Sequence, residues 1–328
     1  LRDTRPRSAE RGTTARSITS SMRTVALLTA LAAFARASSP VPVPAVRQLQ
    51  AAVTSGGTQS CVPRDTFTLL TFEAALMVRS NLGGQGGRCN VAGRCVEQQT
   101  AATPHEIYIA NIGRHSSGEQ IDLRIVNQSE YRAWNQNLNG VKRRSQGAIS
   151  GHFGVINLLG PRTRAQRPYD KFWNDRFTFI ELRYTFVGAQ SGQALTLART
   201  YLTFYDFDTG QARFDGSLTQ VEAMQMGPEA ARLILRQPSE LAQRPSWQSF
   251  LSTDEYATFE ASSPSAWSNP IFTGSTYGVG VDNPIDDYRM TAQQLSRSIM
   301  VEFVGTSSFQ LRYAITRCCT TGRNFLIA

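Results

Sequence analysis

Phe177-Thr-Phe-Ile-Glu-Leu-Arg-Tyr-Thr-Phe-Val187, then Gly188-Ala-Gln-Ser-Gly-Gln193, then Ala194-Leu-Thr-Leu-Ala-Arg-Thr-Tyr-Leu-Thr-Phe-Tyr-Asp-Phe-Asp208 is the stretch whose reading decides the fold. Both outer runs are dense in aromatic and β-branched residues, and the link between them carries Gly188 and Gly192. That composition predicts two strands joined as a hairpin. Alternation along the second strand puts Leu202, Phe204, Asp206 and Asp208 on one face, with the two acids about 7 Å apart at their Cα atoms. Two carboxylates on a largely apolar face need a counter-charge.

Moving outward, the same texture recurs. Alternating runs predict strands over residues 66–72, 105–112, 119–126, 151–159, 298–304 and 308–315. In the third of these Ile121, Leu123 and Ile125 share one face and Asp122 takes the other. Residues 215–227 read as a turn and strand, 228–235 fits strand or short helix, and 256–260 is a short strand. Residues 81–103 and 269–287 read as loops. Thr291 is a candidate cap for a short helix over 291–296. Many short strands with almost no helix predict an all-β antiparallel sandwich or jelly roll carrying one or two short helices. A doubly wound parallel sheet is excluded by the lack of long helices between strands.

The chain has 328 residues, 41% of them hydrophobic and 18% charged, which suits a globular body with a sizeable core. Its net charge is +9, but residues 1–37 hold seven Arg against Asp3 and Glu10, leaving +4 for the rest. That charge excludes no acidic partner but does not mark a nucleic-acid binder. Residues 1–21 read as an untranslated or disordered leader. From Met22 a charged start, an apolar run over 25–34 and Ala35-Arg-Ala37 match a signal peptide over 22–37. A bipartite plastid-directed leader is the alternative. Residues 38–60 read as a Pro-rich linker and 61–328 as one domain, with no stretch long enough to span a membrane.

The five cysteines fit an oxidising compartment. Cys89 and Cys95 can close the Gly-rich loop between them, and Cys61 can pair with Cys318 or Cys319. Their spacing matches no zinc pattern. Asn127-Gln-Ser129 is an N-glycosylation sequon.

Several pieces resemble an uncharacterised set of secreted proteins from marine algae and other protists. They are the Tyr-x-x-Trp…Asn-Gly loop at 131–140, Phe-Gly-x-Ile-Asn-Leu at 153–158 and Thr-Phe-x-Asp-x-Asp at 203–208. The Met-Thr-x-x-Gln helix at 290–294, Ser-Ser-Phe-x-Leu at 307–311 and Gly-Arg-Asn-Phe-Leu at 322–326 complete the pattern. The resemblance spans roughly residue 107 to the C-terminus. It implies a secreted β-sandwich and carries no activity.

Three chemistries compete for the polar residues. Asp206 and Asp208, with Asp122, Asn157 and Asn137, supply the oxygen ligands that calcium prefers. Tyr131 and Trp134, in an amide-rich loop, are candidates for stacking on a sugar, with Trp173, Trp247 and Trp267 as further aromatics. Arg143, Arg144, Arg162, Arg164 and Arg167 suit sulfated or uronic polysaccharide. The expected function is therefore a secreted or cell-surface module, steadied by calcium, that binds polysaccharide or a matrix protein in adhesion. The alternative is a carbohydrate-active hydrolase drawing paired carboxylates from Asp206, Asp208, Glu181 and Glu222. Asp208-Thr-Gly resembles an aspartic-protease signature, but that chemistry needs a second such motif and the chain has none.

Overall fold

A computed structural model describes residues 52–55, 67–87, 89, 94–143, 151–160, 177–210, 221–244, 267–278, 283–284, 290–316 and 322–328. All of them fall within the compact unit Arg47–Ala328. In chain order the strands are β1 (Ala52–Ser55), β2 (Leu76–Ser80), β3 (Glu106–Arg114), β4 (Gln120–Asn127) and β5 (Gly140–Arg143). Next come β6 (Gly151–Leu159), β7 (Phe177–Gly188), β8 (Leu197–Tyr205), β9 (Glu222–Met226) and β10 (Ala230–Leu235). The last are β11 (Leu241–Arg244), β12 (Ile271–Gly274), β13 (Ile299–Thr306), β14 (Ser308–Thr316) and β15 (Gly322–Ile327). A short helix, α1 (Ala292–Ser296), precedes β13. Thr291 caps it with a full capping box closed by Gln294. Among the described residues no helix is long and apolar enough to cross a membrane.

The strands form two sheets. One runs β1-β10-β13-β8-β15-β6-β5, the other β11-β12-β9-β14-β7-β4-β3-β2. Every ladder between named strands is antiparallel except the one between β1 and β10. The expected all-β sandwich is therefore the observed fold. Its inner faces meet in one apolar cluster. Phe303 and Phe325 of the first sheet stack on Phe309 and Tyr313 of the second, with ring centroids 4.4 and 4.0 Å apart. In β4, Ile121, Leu123 and Ile125 all point into this core, as their alternation predicts.

The central stretch is not a simple hairpin. Its two strands start as a pair, with Leu195 N–H donating to Phe186 C=O at 2.9 Å and Gly188 N–H to Gln193 C=O at 2.9 Å. They then diverge into opposite sheets. β7 pairs with β4 and β14, whereas β8 pairs with β13 and β15. Both strands are apolar on their inner faces, so each finds a better partner by packing across the sandwich than by continuing side by side.

Other differences are local. Residues 52–55, inside the expected linker, form β1. In the stretch read as a strand over 66–72, the described residues 67–72 give only isolated bridges at Thr68 and Leu70. β2, β11 and β12 fall in stretches read as loop or left unassigned, because each is four or five residues long. Residues 256–260 lie outside the described residues.

Cys89 and Cys95 are joined in a disulfide with Cα atoms 5.1 Å apart. The chain leaving Cys95 runs along β2. Val96 N–H donates to Met77 C=O at 2.9 Å and Glu97 N–H to Val78 C=O at 3.2 Å. The segment after Cys95 thus covers part of the edge strand of the eight-stranded sheet, a position otherwise open to aggregation. Cys61 and Cys318 lie outside the described residues.

Candidate functional site

The conspicuous polar cluster begins where β8 ends. Alternation would keep Asp206 and Asp208 on the face of Leu202 and Phe204, but Asp206 has φ +71°, a left-handed conformation that Asp tolerates better than most residues. This shifts the pattern by one residue. Phe207, not Asp206, enters the core, 6.1 Å from the Phe325 ring. The chain then crosses to the other sheet. Thr209 N–H donates to Thr276 C=O at 2.8 Å, and Gly278 N–H donates to Thr209 C=O at 3.1 Å. A Cβ on Gly278 would overlap the Asp208 carboxylate, so this close approach requires glycine.

Asp208 meets Glu222, one of the acids grouped with it as a candidate pair, and Arg323, which the sequence did not join to it. Arg323 of β15 places Nη1 3.1 Å from Asp208 Oδ1 and Nε 3.3 Å from Glu222 Oε1. Asp208 N–H points to Glu222 Oε2 at 3.5 Å, and Glu222 N–H donates to Asp208 C=O at 3.3 Å. The side chains of Asp208 and Glu222 are each 2% exposed and that of Arg323 is 21% exposed. Glu222 belongs to the eight-stranded sheet and Arg323 to the seven-stranded one, so the cluster ties the sheets together. A signal for Arg323 was present in the sequence. It alternates with Phe325 and Ile327, both core residues, which places it on the inward face.

Burial, reinforced by the negative charges of Asp208 and Asp206, pushes the Glu222 carboxyl well above its ordinary 4.5, against the opposing pull of Arg323. The sign follows from linkage. Between 4.5 and the raised value the folded state holds a proton that the unfolded state has released. The stability from this group is therefore full below about pH 4.5 and is lost as pH rises through the folded value. Urea unfolding at about pH 5 and about pH 8 should show lower stability at the higher pH, and Glu222→Gln should flatten the difference. An unchanged slope in Glu222→Gln would remove this assignment.

The five residues considered for calcium fall into separate groups. Asp122 lies on β4, where Oδ2 accepts from Tyr108 Oη at 3.0 Å and Oδ1 from Asn111 N–H at 2.9 Å. Asn157, buried on β6, accepts from Asn135 N–H at 2.8 Å and donates to Asn324 Oδ1 at 2.8 Å. Asn137 is exposed and donates its N–H to Asn135 Oδ1 at 3.0 Å. Asp206 lines a shallow recess with Gln293, Gln294 and Arg297. Asp208 takes its counter-charge from Arg323. The structure joins Asp208 to Glu222, and Asn157 adjoins them through Arg323, whose C=O accepts from Asn157 Nδ2 at 3.3 Å.

The four acids considered for hydrolysis are likewise divided. Glu222 faces the core with Met224 and Met226. Glu181 is held on the other face by Arg312 at 2.6 Å, whose guanidinium lies 4.0 Å from the Trp267 ring centroid.

The two aromatics considered for sugar stacking differ. Tyr131 is only 5% exposed, so its ring presents no stacking surface. Its hydroxyl donates to Asn157 C=O at 2.5 Å and accepts from Asn139 Nδ2 at 2.8 Å. Trp134 is 44% exposed. It sits on Gly322, where any Cβ would collide with its side chain. Asn127 is partly buried, with Nδ2 donating to Ser129 C=O at 2.8 Å and Oδ1 accepting from Gly83 N–H at 3.1 Å. Arg144, Arg162, Arg164, Arg167, Trp173 and Trp247 lie outside the described residues, as does the side chain of Arg143.

No family model and no curated relative matches the sequence. Among solved structures, the chain is similar to the N-terminal domain of the Streptococcus gordonii adhesin Sgo0707, at 10% identity and a TM-score of 0.38. The alignment covers 84% of this chain and 65% of that one.

Proposed function

We propose that this chain is a secreted or cell-surface β-sandwich module that binds extracellular polysaccharide in adhesion. The observation that carries the reading is Trp134, an exposed indole on a loop fixed from beneath. Asn135 N–H donates to Asn157 Oδ1, Asn157 N–H donates to Asn139 Oδ1 at 2.8 Å, and the buried Tyr131 hydroxyl joins both strands of this network. Gln85 brackets the loop from the other side. Its Nε2 donates to Tyr131 C=O at 2.5 Å and its Oε1 accepts from Ala133 N–H at 3.1 Å. A loop already ordered loses little entropy on binding, and an amphipathic ring offers a flat apolar face for the C–H face of a sugar.

The Cys89–Cys95 bridge and the signal-peptide pattern support an oxidising destination. Bond cleavage has less support. Asp208 and Glu222 are enclosed and tied to Arg323, whereas glycosidase carboxylates must flank an accessible sugar.

Affinity electrophoresis of the full chain in gels containing neutral or anionic polysaccharide tests the reading. Retardation is expected, and on neutral polysaccharide Trp134→Ala should weaken it about tenfold or more, as loss of an anchoring aromatic does. The melting temperature should change little, because half the ring is already in water. Running the same gels with calcium and with chelator shows whether the binding needs calcium. Equal retardation of wild type and Trp134→Ala would contradict the assignment.

A further inference from the structure

We propose a second ligand site, a groove beside the β3 bulge that takes an acidic oligosaccharide, sulfated or uronate-bearing. The groove has a volume of about 580 Å³, within the range of small-molecule sites. One wall is the segment around Thr68, which hydrogen-bonds both sheets. Thr68 N–H donates to Arg199 C=O at 2.7 Å on β8, and Thr71 N–H donates to Ile112 C=O at 2.7 Å on β3. Chain tied to both sheets gives the groove a rigid side.

Directly beside it, bridged through Leu70 and Gly113, is the bulge, where the β3–β4 register shifts between Ile109 and Gly113. Asn111 stands there at φ 63°, an unfavourable conformation for most side chains. It is kept in place by Asp122, which accepts from its N–H at 2.9 Å, and by Ala74 C=O, which accepts from its Nδ2 at 3.1 Å. Bulges and left-handed non-glycine residues concentrate at sites where a side chain must be aimed. Asp122, considered above as a calcium ligand, thus acts on this groove by positioning Asn111.

The lining fits one chemistry. Leu69 is 58% exposed, and the Phe67 ring is held edge-on by Tyr201 at 5.6 Å, so an apolar strip faces the opening. Ser116 and Gln120 add a hydroxyl and an amide suited to sugar hydroxyls. Arg114 is exposed, and its Nη1 donates to Gly118 C=O at 2.7 Å. Among the described residues it forms no ion pair and no acid lines the groove. A fork of free donors with a permanent positive charge suits sulfate or carboxylate. An apolar strip beside hydroxyl and amide groups suits a pyranose ring.

The proposal rests on the polysaccharide reading, and its test separates the two. Isothermal titration of the full chain would use dextran sulfate oligosaccharides, oligogalacturonates, neutral dextran oligosaccharides and a glutamate-rich peptide. Binding of either anionic sugar, about tenfold or more weakened by Arg114→Gln and by Leu69→Ser but not by Trp134→Ala, is expected from loss of a charge-assisted bond or of the apolar strip. Which anionic sugar binds tighter identifies the anion. Leu69 and Arg114 are both exposed, so the variants should melt as wild type does, and a melt confirms it. Anionic-sugar binding lost in Trp134→Ala but kept in both groove variants overturns the groove and leaves the Trp134 reading standing. Tighter binding of the acidic peptide than of any sugar overturns the groove's ligand class. No binding of any sugar overturns both readings.

Discussion

Arg323→Ala should lower the unfolding free energy by about 3–5 kcal/mol, the usual cost of removing one partner from a buried ion cluster. Arg323 is the cation within 3.3 Å of both Asp208 and Glu222, and those two carboxyls are each 2% exposed. Without it, Asp208 and Glu222 lose that charge in the interior, and keeping both ionised at neutral pH costs more. Urea unfolding at neutral pH reads the loss. Glu222→Gln in the Arg323→Ala background should restore part of it, because the amide cannot ionise. The partial rescue separates a charge effect from simple loss of packing. A loss below about 1 kcal/mol would show that the cluster behaves like an exposed pair.

Phe309→Ala should cost about 3–5 kcal/mol for a different reason, a cavity between the sheets. Phe309 lies on β14, fully buried, and stacks on Tyr184 of its own sheet at 4.7 Å. Across the interface it stacks on Phe303 of β13 at 4.4 Å, and Phe186 closes the group at 5.9 Å. Truncation removes the transfer energy of one ring and strands its neighbours at a gap they cannot fill without moving two sheets. Phe309→Leu, which keeps most of the volume, should cost clearly less. Chemical denaturation monitored by fluorescence distinguishes the two variants. Equal stability of Phe309→Ala and wild type would mean that the sheets do not meet as described.

What the sequence made legible follows from the physics of each signal. Alternation in a strand is local, so the inward set Ile121, Leu123 and Ile125 and the strands β13 and β14 are readable residue by residue. The Thr291–Gln294 capping box is equally local. Sheet membership is not local. Nothing between Val187 and Leu197 says that β7 and β8 part into opposite layers, since that outcome depends on what β4, β14, β13 and β15 offer. Very short strands such as β11 and β12 exist because the sheet edge recruits them, and propensity alone cannot find them.

The site was half legible for the same reason. Asp206 and Asp208 stand out by composition, but the left-handed turn at Asp206 replaces the expected shared face with a one-residue slip. Arg323 lies 115 residues from Asp208 in sequence, and only the fold brings them together. Tyr131 looks like a ligand-facing aromatic because its loop is polar. The loop's amides instead bond to its hydroxyl and draw the ring inward. The groove beside Asn111 could not be read at all, because it is made by a bulge and by a segment that crosses between sheets.

The most direct measurement is a polysaccharide array probed with the full chain and with Trp134→Ala, in calcium and in chelator, scoring both retention and chain length. Wild type is expected to be retained, the bound glycan to keep its length, and Trp134→Ala to lose retention on neutral polysaccharide without loss of fold. Release of shortened glycan, or the absence of retention on every polysaccharide, would contradict the proposed function.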